Sequence, residues 1–115
     1  MVQFVGVNEI RRIVAQVGID AVLSRMVDYL EADFRRWDRF ERIPRLASHS
    51  PGGVIELMPT QDDALYSFKY VNGHPYNFER GLQTVVAIGL MPEVETGHPV
   101  FLSEMTIQDA LRTAA

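Results

Sequence analysis

Three charged residues recur among apolar neighbours in successive strand-like segments: Arg45, Glu56 and Lys69. The planar guanidinium of an arginine can bind both oxygens of a carboxylate, a lysine adds a second cation, and a glutamate carboxylate accepts hydrogen bonds from an amine. Two cations beside one carboxylate suit a small zwitterion such as an amino acid. The residue types therefore predict a zwitterion-binding pocket, provided that folding brings the three side chains to one face.

The segment FKYVNGHPYN places Lys69 inside an aromatic run. Because successive side chains of a strand point to opposite faces, Lys69 shares a face with Val71, while Tyr66, Phe68 and Tyr70 lie on the other face. The same alternation sets the charged residues of the two preceding segments among apolar side chains. If the three strands pair in chain order, the three charges can meet on one face.

A structural interpretation of these charges stays open beside the binding one. The same side chains would also form an ion cluster, or would protect exposed sheet edges from pairing with another chain. Burying charges without partners destabilises a fold, which favours a site filled by a ligand or by water.

Motif searches exclude several classes of site. The chain contains neither GxGxxG nor GxxxxGK[ST], so it has no dinucleotide fingerprint and no P-loop. His49, His74 and His98 are widely separated and form no HExxH pattern, so we expect no metal site. No serine lies in a nucleophile elbow.

Local patterns predict the elements that must position the charged residues. Helical periodicity predicts helices over residues 8–17 and 20–40, with Asn8 as the first N-cap and a break at Gly18. A last helix over residues 106–115 opens at Thr106, with Asp109 as the acidic member of a capping box. Alternation and turn residues predict strands over residues 43–49, 53–58, 64–72, 84–90 and 99–102. This order predicts one α+β domain over residues 1–115, with N-terminal helices packed on a mixed, mostly antiparallel sheet and a C-terminal helix.

Composition limits the classes of partner and the cellular compartment that we expect for this chain. The 115 residues are 47% hydrophobic and 23% charged, with a net charge of −4 and no cysteine. An acidic balance argues against nucleic acid as a partner, and the lack of cysteine excludes disulfides and thiolate metal sites. The N-terminus lacks the order of a signal peptide and no apolar run reaches membrane-spanning length, so we expect a soluble, cytoplasmic chain without a membrane partner.

Four stretches carry a resemblance to a known family: RIPRLAS, LYSFKYVNGHPYN, VETGHPVFLSEMT and ALRTAA. In this order they resemble the N-terminal part of the ornithine cyclodeaminase and mu-crystallin family, and bacterial ornithine cyclodeaminases in particular. The resemblance implies a reaction that converts L-ornithine to L-proline and ammonia, with NAD reduced and re-oxidised within one turnover. Family proteins are longer, and their NAD-binding Rossmann domain follows the ALRTAA helix.

The resemblance also implies roles for individual residues. Arg45 and Lys69 would hold the substrate carboxylate with help from Arg112, and Glu56 would face the substrate's amines. Thr84 and Arg112 would touch the cofactor. The aspartate that serves as the family's acid and base lies in the Rossmann domain and has no counterpart here. We therefore expect no catalytic residue in this chain, no tight binding of NAD and no turnover by the chain alone.

Two segments depart from the family pattern by being more polar: Met91-Pro92-Glu93 and Gln108-Asp109. Polar residues there would suit a surface that has lost a covering domain. An excised, surface-engineered fragment is one hypothesis, and natural variation in a truncated chain is the other.

The apolar and aromatic residues on both faces of the predicted strands exceed what one layer of helices can cover. We therefore predict a homodimer that joins the sheets of two chains, with Tyr66, Phe68 and Tyr70 near the interface. A free-standing module that binds a small amino acid, and a structural dimeric scaffold without a ligand, remain the alternative functions.

Overall fold

The computed structural model describes residues 1–115 as three α-helices, seven strands and two short 3-10 helices. The helices are α1 (Val7–Val17), α2 (Ile19–Arg35) and α3 (Thr106–Ala114), and the 3-10 helices are Trp37–Arg39 and Pro75–Arg80. The strands are β1 (Gln3–Val5), β2 (Glu41–Arg42), β3 (Leu46–Ser50), β4 (Gly53–Gln61), β5 (Tyr66–Gly73), β6 (Ala87–Pro92) and β7 (Pro99–Glu104).

All seven strands belong to one sheet, in the order β1-β7-β6-β5-β4-β2, and β3 pairs with the same side of β4 as β2 does. The pair β1–β7 is parallel, and every other pair is antiparallel. The predicted α+β fold with a mixed, mostly antiparallel sheet is confirmed. None of the helices is both long enough and apolar enough to cross a membrane.

The first helix begins one residue earlier than predicted, and Asn8 is not its N-cap. The N-cap is Gly6, whose backbone N–H donates to the Glu9 carboxylate at 2.9 Å. The break at Gly18 is confirmed, because this glycine has a φ of 91° and separates α1 from α2. The strand β1 was missed, since three residues are too few to show an alternating pattern.

Two predicted elements are interrupted. The helix predicted over residues 20–40 ends at Arg35, and Trp37–Arg39 continues as a 3-10 turn. The strand predicted over residues 43–49 is divided into β2 and β3, because Pro44 has no N–H to donate to a ladder. Arg45 consequently lies just before β3 instead of on a strand.

The strand predicted over residues 84–90 begins only at Ala87. The side chain of Asn72 provides the physical reason, since its Oδ1 accepts the Val86 N–H at 2.7 Å and replaces a regular ladder partner. The carbonyl of Thr84 accepts the His74 N–H at 2.9 Å, so Thr84 lies in the loop that leads into β6.

Asp62 closes the turn between β4 and β5. Its Oδ1 accepts the backbone N–H groups of Leu65 at 2.8 Å and Ala64 at 2.9 Å, and its Oδ2 accepts a hydrogen bond from Arg36 Nη1 at 3.1 Å. The two backbone N–H groups, followed by Arg36, outweigh burial and lower the pKa of the Asp62 carboxyl below its ordinary value. This ionised carboxylate ties the end of α2 to the β4–β5 turn.

Helices pack on one face of the sheet, and no second layer packs on the other. The helix layer lies on the face that carries Gly89, where an added Cβ would come within 2.8 Å of Met105 Cγ at the start of α3. The opposite face, which we call the bare face, carries apolar rows that cross the strands without a second layer. One such row follows the register Leu46, Leu57, Tyr70, Ile88 across β3, β4, β5 and β6. Only five of the 115 residues are buried, so much of the apolar surface of the domain lies open.

Candidate functional site: a cleft with two cations

Lys69 lies in the middle of β5, opposite Met58 of β4 and Gly89 of β6. Because Gly89 has no side chain, Met105 at the start of α3 packs directly against its backbone. Lys69 Nζ donates to Asp109 Oδ1 at 3.0 Å, and the lysine side chain is only 17% exposed. The cation in the aromatic strand is therefore turned to the helix side of the sheet and is held in place.

Arg112 reaches the same carboxylate oxygen from within α3. It follows Asp109 by three residues, and its Nε donates to Asp109 Oδ1 at 3.2 Å. One oxygen thus accepts hydrogen bonds from Lys69 and from Arg112, although these two residues belong to different elements. The structure brings together two of the predicted carboxylate ligands through Asp109, for which the sequence predicts a capping role.

The predicted capping box at the start of α3 is wrong. The N-cap is Met105, the Thr106 hydroxyl accepts the Ala87 N–H at 2.8 Å, and the Glu104 carboxylate accepts the Ile107 N–H at 3.0 Å. The Thr106 hydroxyl therefore binds β6 and not the Asp109 N–H, and the Asp109 carboxylate binds cations instead. The three-residue spacing to Arg112 was the available sequence signal for that role.

The charge of Asp109 depends on its two partners. Partial burial alone would raise the pKa of the Asp109 carboxyl, but the hydrogen bonds and positive charges of Lys69 and Arg112 outweigh it and hold the pKa below its ordinary value. Asp109 is therefore ionised at neutral pH, and the cluster of two cations and one anion keeps one net positive charge.

Arg45 and Glu56 form a second ion pair. Arg45 Nη1 donates to Glu56 Oε2 at 2.7 Å, with side chains that are 61% and 22% exposed. Glu56 lies opposite Val71 in the same sheet register that sets Met58 opposite Lys69, so Glu56 and Lys69 share a face. The predicted common face is confirmed for Glu56 and Lys69 only, because Arg45 lies before β3 and outside the sheet register. The three charges belong to two separate sets of ion pairs instead of one cluster.

A cleft of about 490 Å³ lies between the sheet and the helix layer, and it contains Lys69 and Arg112. Its other lining residues come from α2, from the segment between α2 and β2, from β2 and from β4: Leu30, Asp33, Phe34, Trp37, Phe40, Arg42, Met58 and Thr60. Phe34 and Trp37 stack with ring centroids 5.3 Å apart. Arg45 and Glu56 do not line this cleft, so only two of the four predicted substrate residues, Lys69 and Arg112, lie in it.

Comparison with known proteins shows the family to which the chain belongs. Residues 7–115 match the profile of the ornithine cyclodeaminase/mu-crystallin family. The chain belongs to that family. It is 55% identical over all 115 residues to an ornithine cyclodeaminase of Brucella abortus, of which it covers 32%. The chain therefore spans about a third of the length of this curated relative.

Solved structures share the fold. A lysine cyclodeaminase, described as recognising L-lysine, L-ornithine and L-2,4-diaminobutyric acid, matches with a TM-score of 0.88 and 27% identity, over 97% of this chain and 35% of that chain. An archaeal alanine dehydrogenase dimer with bound NAD matches with a TM-score of 0.77 and 22% identity, over 97% of this chain and 33% of that chain. The second likeness shows the fold alone.

The family resemblance implies that Thr84 and Arg112 touch the cofactor, but the structure does not place these two residues in one cleft. Thr84 is held in the loop before β6 and does not line the cleft that contains Arg112. Their cofactor roles stay predictions.

The helix N-termini, where nucleotide phosphates bind in many proteins, already carry acidic side chains. Glu9 accepts the Gly6 N–H at α1, Asp20 lies in the first turn of α2, and Glu104 accepts the Ile107 N–H at α3. Carboxylates at these positions repel phosphate. These helix N-termini therefore do not offer a site for a dinucleotide phosphate. No group of three or more histidine or acidic side chains is placed to hold a metal ion.

The two polar departures from the family pattern take part in contacts within the domain. Gln108 Nε2 donates to the Glu104 carbonyl at 2.8 Å and to the hydroxyl of the fully buried Ser103, and Asp109 binds the two cations. Pro92 is buried at the end of β6. Surface engineering is not needed to explain these residues, and it stays a hypothesis.

Proposed function

We propose that this chain is the amino-acid-binding and dimerisation domain of an ornithine cyclodeaminase-like protein. The whole protein would convert L-ornithine to L-proline and ammonia with NAD, and the domain alone would bind the amino acid without turning it over. The observation that carries the proposal is the convergence of Lys69 and Arg112 on a carboxylate group beside the cleft.

In this proposal the cleft recognises the two ends of a diamino acid differently. Lys69 and Arg112 bind the substrate carboxylate, because both have further N–H donors beyond those that Asp109 accepts. Arg45, which does not line the cleft, would add a third cation from outside it. Glu56 lies on the same face as Lys69 and its side chain is only 22% exposed. Its carboxylate accepts a hydrogen bond from an amine of the substrate, which competes with Arg45 for this carboxylate.

The domain would pair with a second copy through the bare face. Apolar side chains of that face are exposed on successive strands: Leu46, Ile55, Leu57, Phe68 and Ile88. An open apolar surface on adjoining strands is a typical interface, and a two-fold dimer would cover it on both chains at once. The stacked rings of Tyr66 and Phe68 belong to the same face, which supports the predicted place of the aromatic row near the interface.

A structural dimeric scaffold is the second candidate, and a specific observation favours it. Each ion pair of the site satisfies its charges within the domain, Arg45 with Glu56 and Lys69 with Asp109. Such pairs need no ligand to be stable.

Calorimetric titration with L-ornithine and with L-proline separates the two candidates. We expect the unmodified chain to bind, and we expect Arg45→Ala and Lys69→Ala each to abolish binding while circular dichroism shows an intact fold. Arg11→Ala, at an exposed arginine of α1, is the matched control and should bind as the unmodified chain does.

Two results would contradict the binding proposal. Absence of binding by the unmodified chain would exclude it, and unfolding of both site variants would make the charges structural. Catalytic silence has its own test, because hydride acceptance belongs to the cofactor and the chain has no dinucleotide fingerprint. Ornithine with added NAD should yield no proline, and measurable turnover by the purified chain would overturn that part of the proposal.

A further inference from the structure

Asp109 uses one oxygen to hold both cations of the cleft. Oδ1 accepts from Lys69 Nζ at 3.0 Å and from Arg112 Nε at 3.2 Å. The lysine comes from the sheet and the arginine from α3, so the carboxylate joins the sheet to the helix layer at the site itself. Nothing in the family's implied substrate contacts requires this residue.

The donors that remain on the two cations decide what the contact does. A lysine ammonium has three N–H donors and an arginine guanidinium has five. Asp109 takes one donor from Lys69, and from Arg112 it takes only Nε, at the side of the guanidinium. Arg112 Nη2 also donates to the Thr113 hydroxyl at 3.4 Å. Both hydrogens of Nη1 and one of Nη2 stay free, and these form the end of the fork that binds a carboxylate with two parallel hydrogen bonds.

The charges are consistent with a ligand that binds beside Asp109 instead of replacing it. Two cations and one aspartate leave one net positive charge, and one substrate carboxylate neutralises it. Without Asp109, Lys69 would lose its only ion pair while 17% exposed, and a strongly hydrated ammonium would turn towards water. The guanidinium would lose the contact that fixes its plane.

We propose that Asp109 is a positioning residue, which orients Lys69 and Arg112 so that their free donors bind one carboxylate of the amino acid together. The inference rests on the proposed function, because it needs the two cations to be carboxylate ligands. It adds a residue on which the discrimination between an amino acid and its amide depends.

The test compares L-ornithine with L-ornithinamide, whose neutral carboxamide replaces the carboxylate. The unmodified chain should bind the acid more tightly than the amide. In Asp109→Asn, which keeps the size of the side chain and removes its charge, that preference should fall by about tenfold or more, because hydrogen bonds to charged groups weaken once their geometry is lost. Asp109→Glu should recover part of the preference, since it restores the carboxylate.

The matched control is Asp63→Asn, which removes one negative charge from an exposed residue of the β4–β5 turn. It should leave the ratio of the two dissociation constants unchanged, and thermal melting should show whether any variant is less stable. A merely structural role of Asp109 would lower stability, or weaken acid and amide equally, without changing that ratio.

The outcomes separate this inference from the proposed function. Loss of acid preference in Asp109→Asn, with the control unchanged, supports the positioning role. An unchanged or increased preference in Asp109→Asn overturns it and leaves the proposed function standing. No binding of ornithine by the unmodified chain overturns both.

Discussion

A charge placed on the bare face should dissociate the proposed homodimer, and Leu57→Asp is the change that tests this most directly. Leu57 lies in the apolar row that crosses β3, β4, β5 and β6, and it is 43% exposed in the single chain. Full burial of a leucine side chain contributes about 1.5–3 kcal/mol, so covering its exposed part contributes about 0.6–1.3 kcal/mol. A two-fold interface contains the residue twice, which raises the contribution to about 1.3–2.6 kcal/mol per dimer.

Loss of that contribution weakens the dimer by about 10- to 80-fold, before the cost of burying two carboxylates is added. Light scattering and sedimentation over a concentration series measure the change. The unmodified chain should have a mass near twice 13.0 kDa at micromolar concentration, and the variant should approach the monomer.

The matched control is Ile13→Asp. Ile13 is 47% exposed on α1, so the control adds the same charge at similar exposure on the helix layer. It should leave the dimer intact. A monomeric unmodified chain would refute the prediction, and so would dissociation by the Ile13 variant with no effect of the Leu57 variant.

Two further predictions concern stability. Gly53→Ala should lower the free energy of unfolding in urea by about 1–3 kcal/mol, because the added Cβ would lie 2.6 Å from the His74 ring. The control is Gly52→Ala, whose Cβ has nothing within 4 Å and which should be close to neutral. Equal effects of the two variants would refute the steric argument. Asp62→Ala should cost about 1–3 kcal/mol at neutral pH, chiefly by leaving the half-buried Leu65 N–H without its acceptor. Since the folded pKa of Asp62 is lowered, its contribution is present above the unfolded pKa and is lost as pH falls through the folded one, so the gap to the unmodified chain should narrow in acid. A gap that stays constant down to acid pH would contradict this, and Asp63→Asn is the charge-matched control.

The sequence by itself determined the local geometry of the central strand. Alternation has a period of two residues, and it depends only on the pleat of the strand. It therefore placed Lys69 and the aromatic row Tyr66, Phe68 and Tyr70 on opposite faces before any partner strand was known. Gly18 marked the break between the first two helices for an equally local reason, since its φ of 91° is one that other residues rarely adopt. The residue stretches that resemble the family also sufficed to identify it.

The contacts that make the site were decided only by the tertiary structure. Lys69 and Asp109 are 40 residues apart, and no local pattern shows that α3 lies over β5. Local rules instead assigned Asp109 to a capping box, whereas at the helix start the Glu104 carboxylate accepts the Ile107 N–H and Asp109 binds Lys69 and Arg112. The bond from Val86 to the Asn72 side chain likewise delays β6 by three residues relative to its apolar pattern. Sequence periodicity predicts which face of a strand or helix a side chain occupies. Its partner on that face depends on how whole elements pack, and this packing is a sum of long-range contacts that no short segment contains.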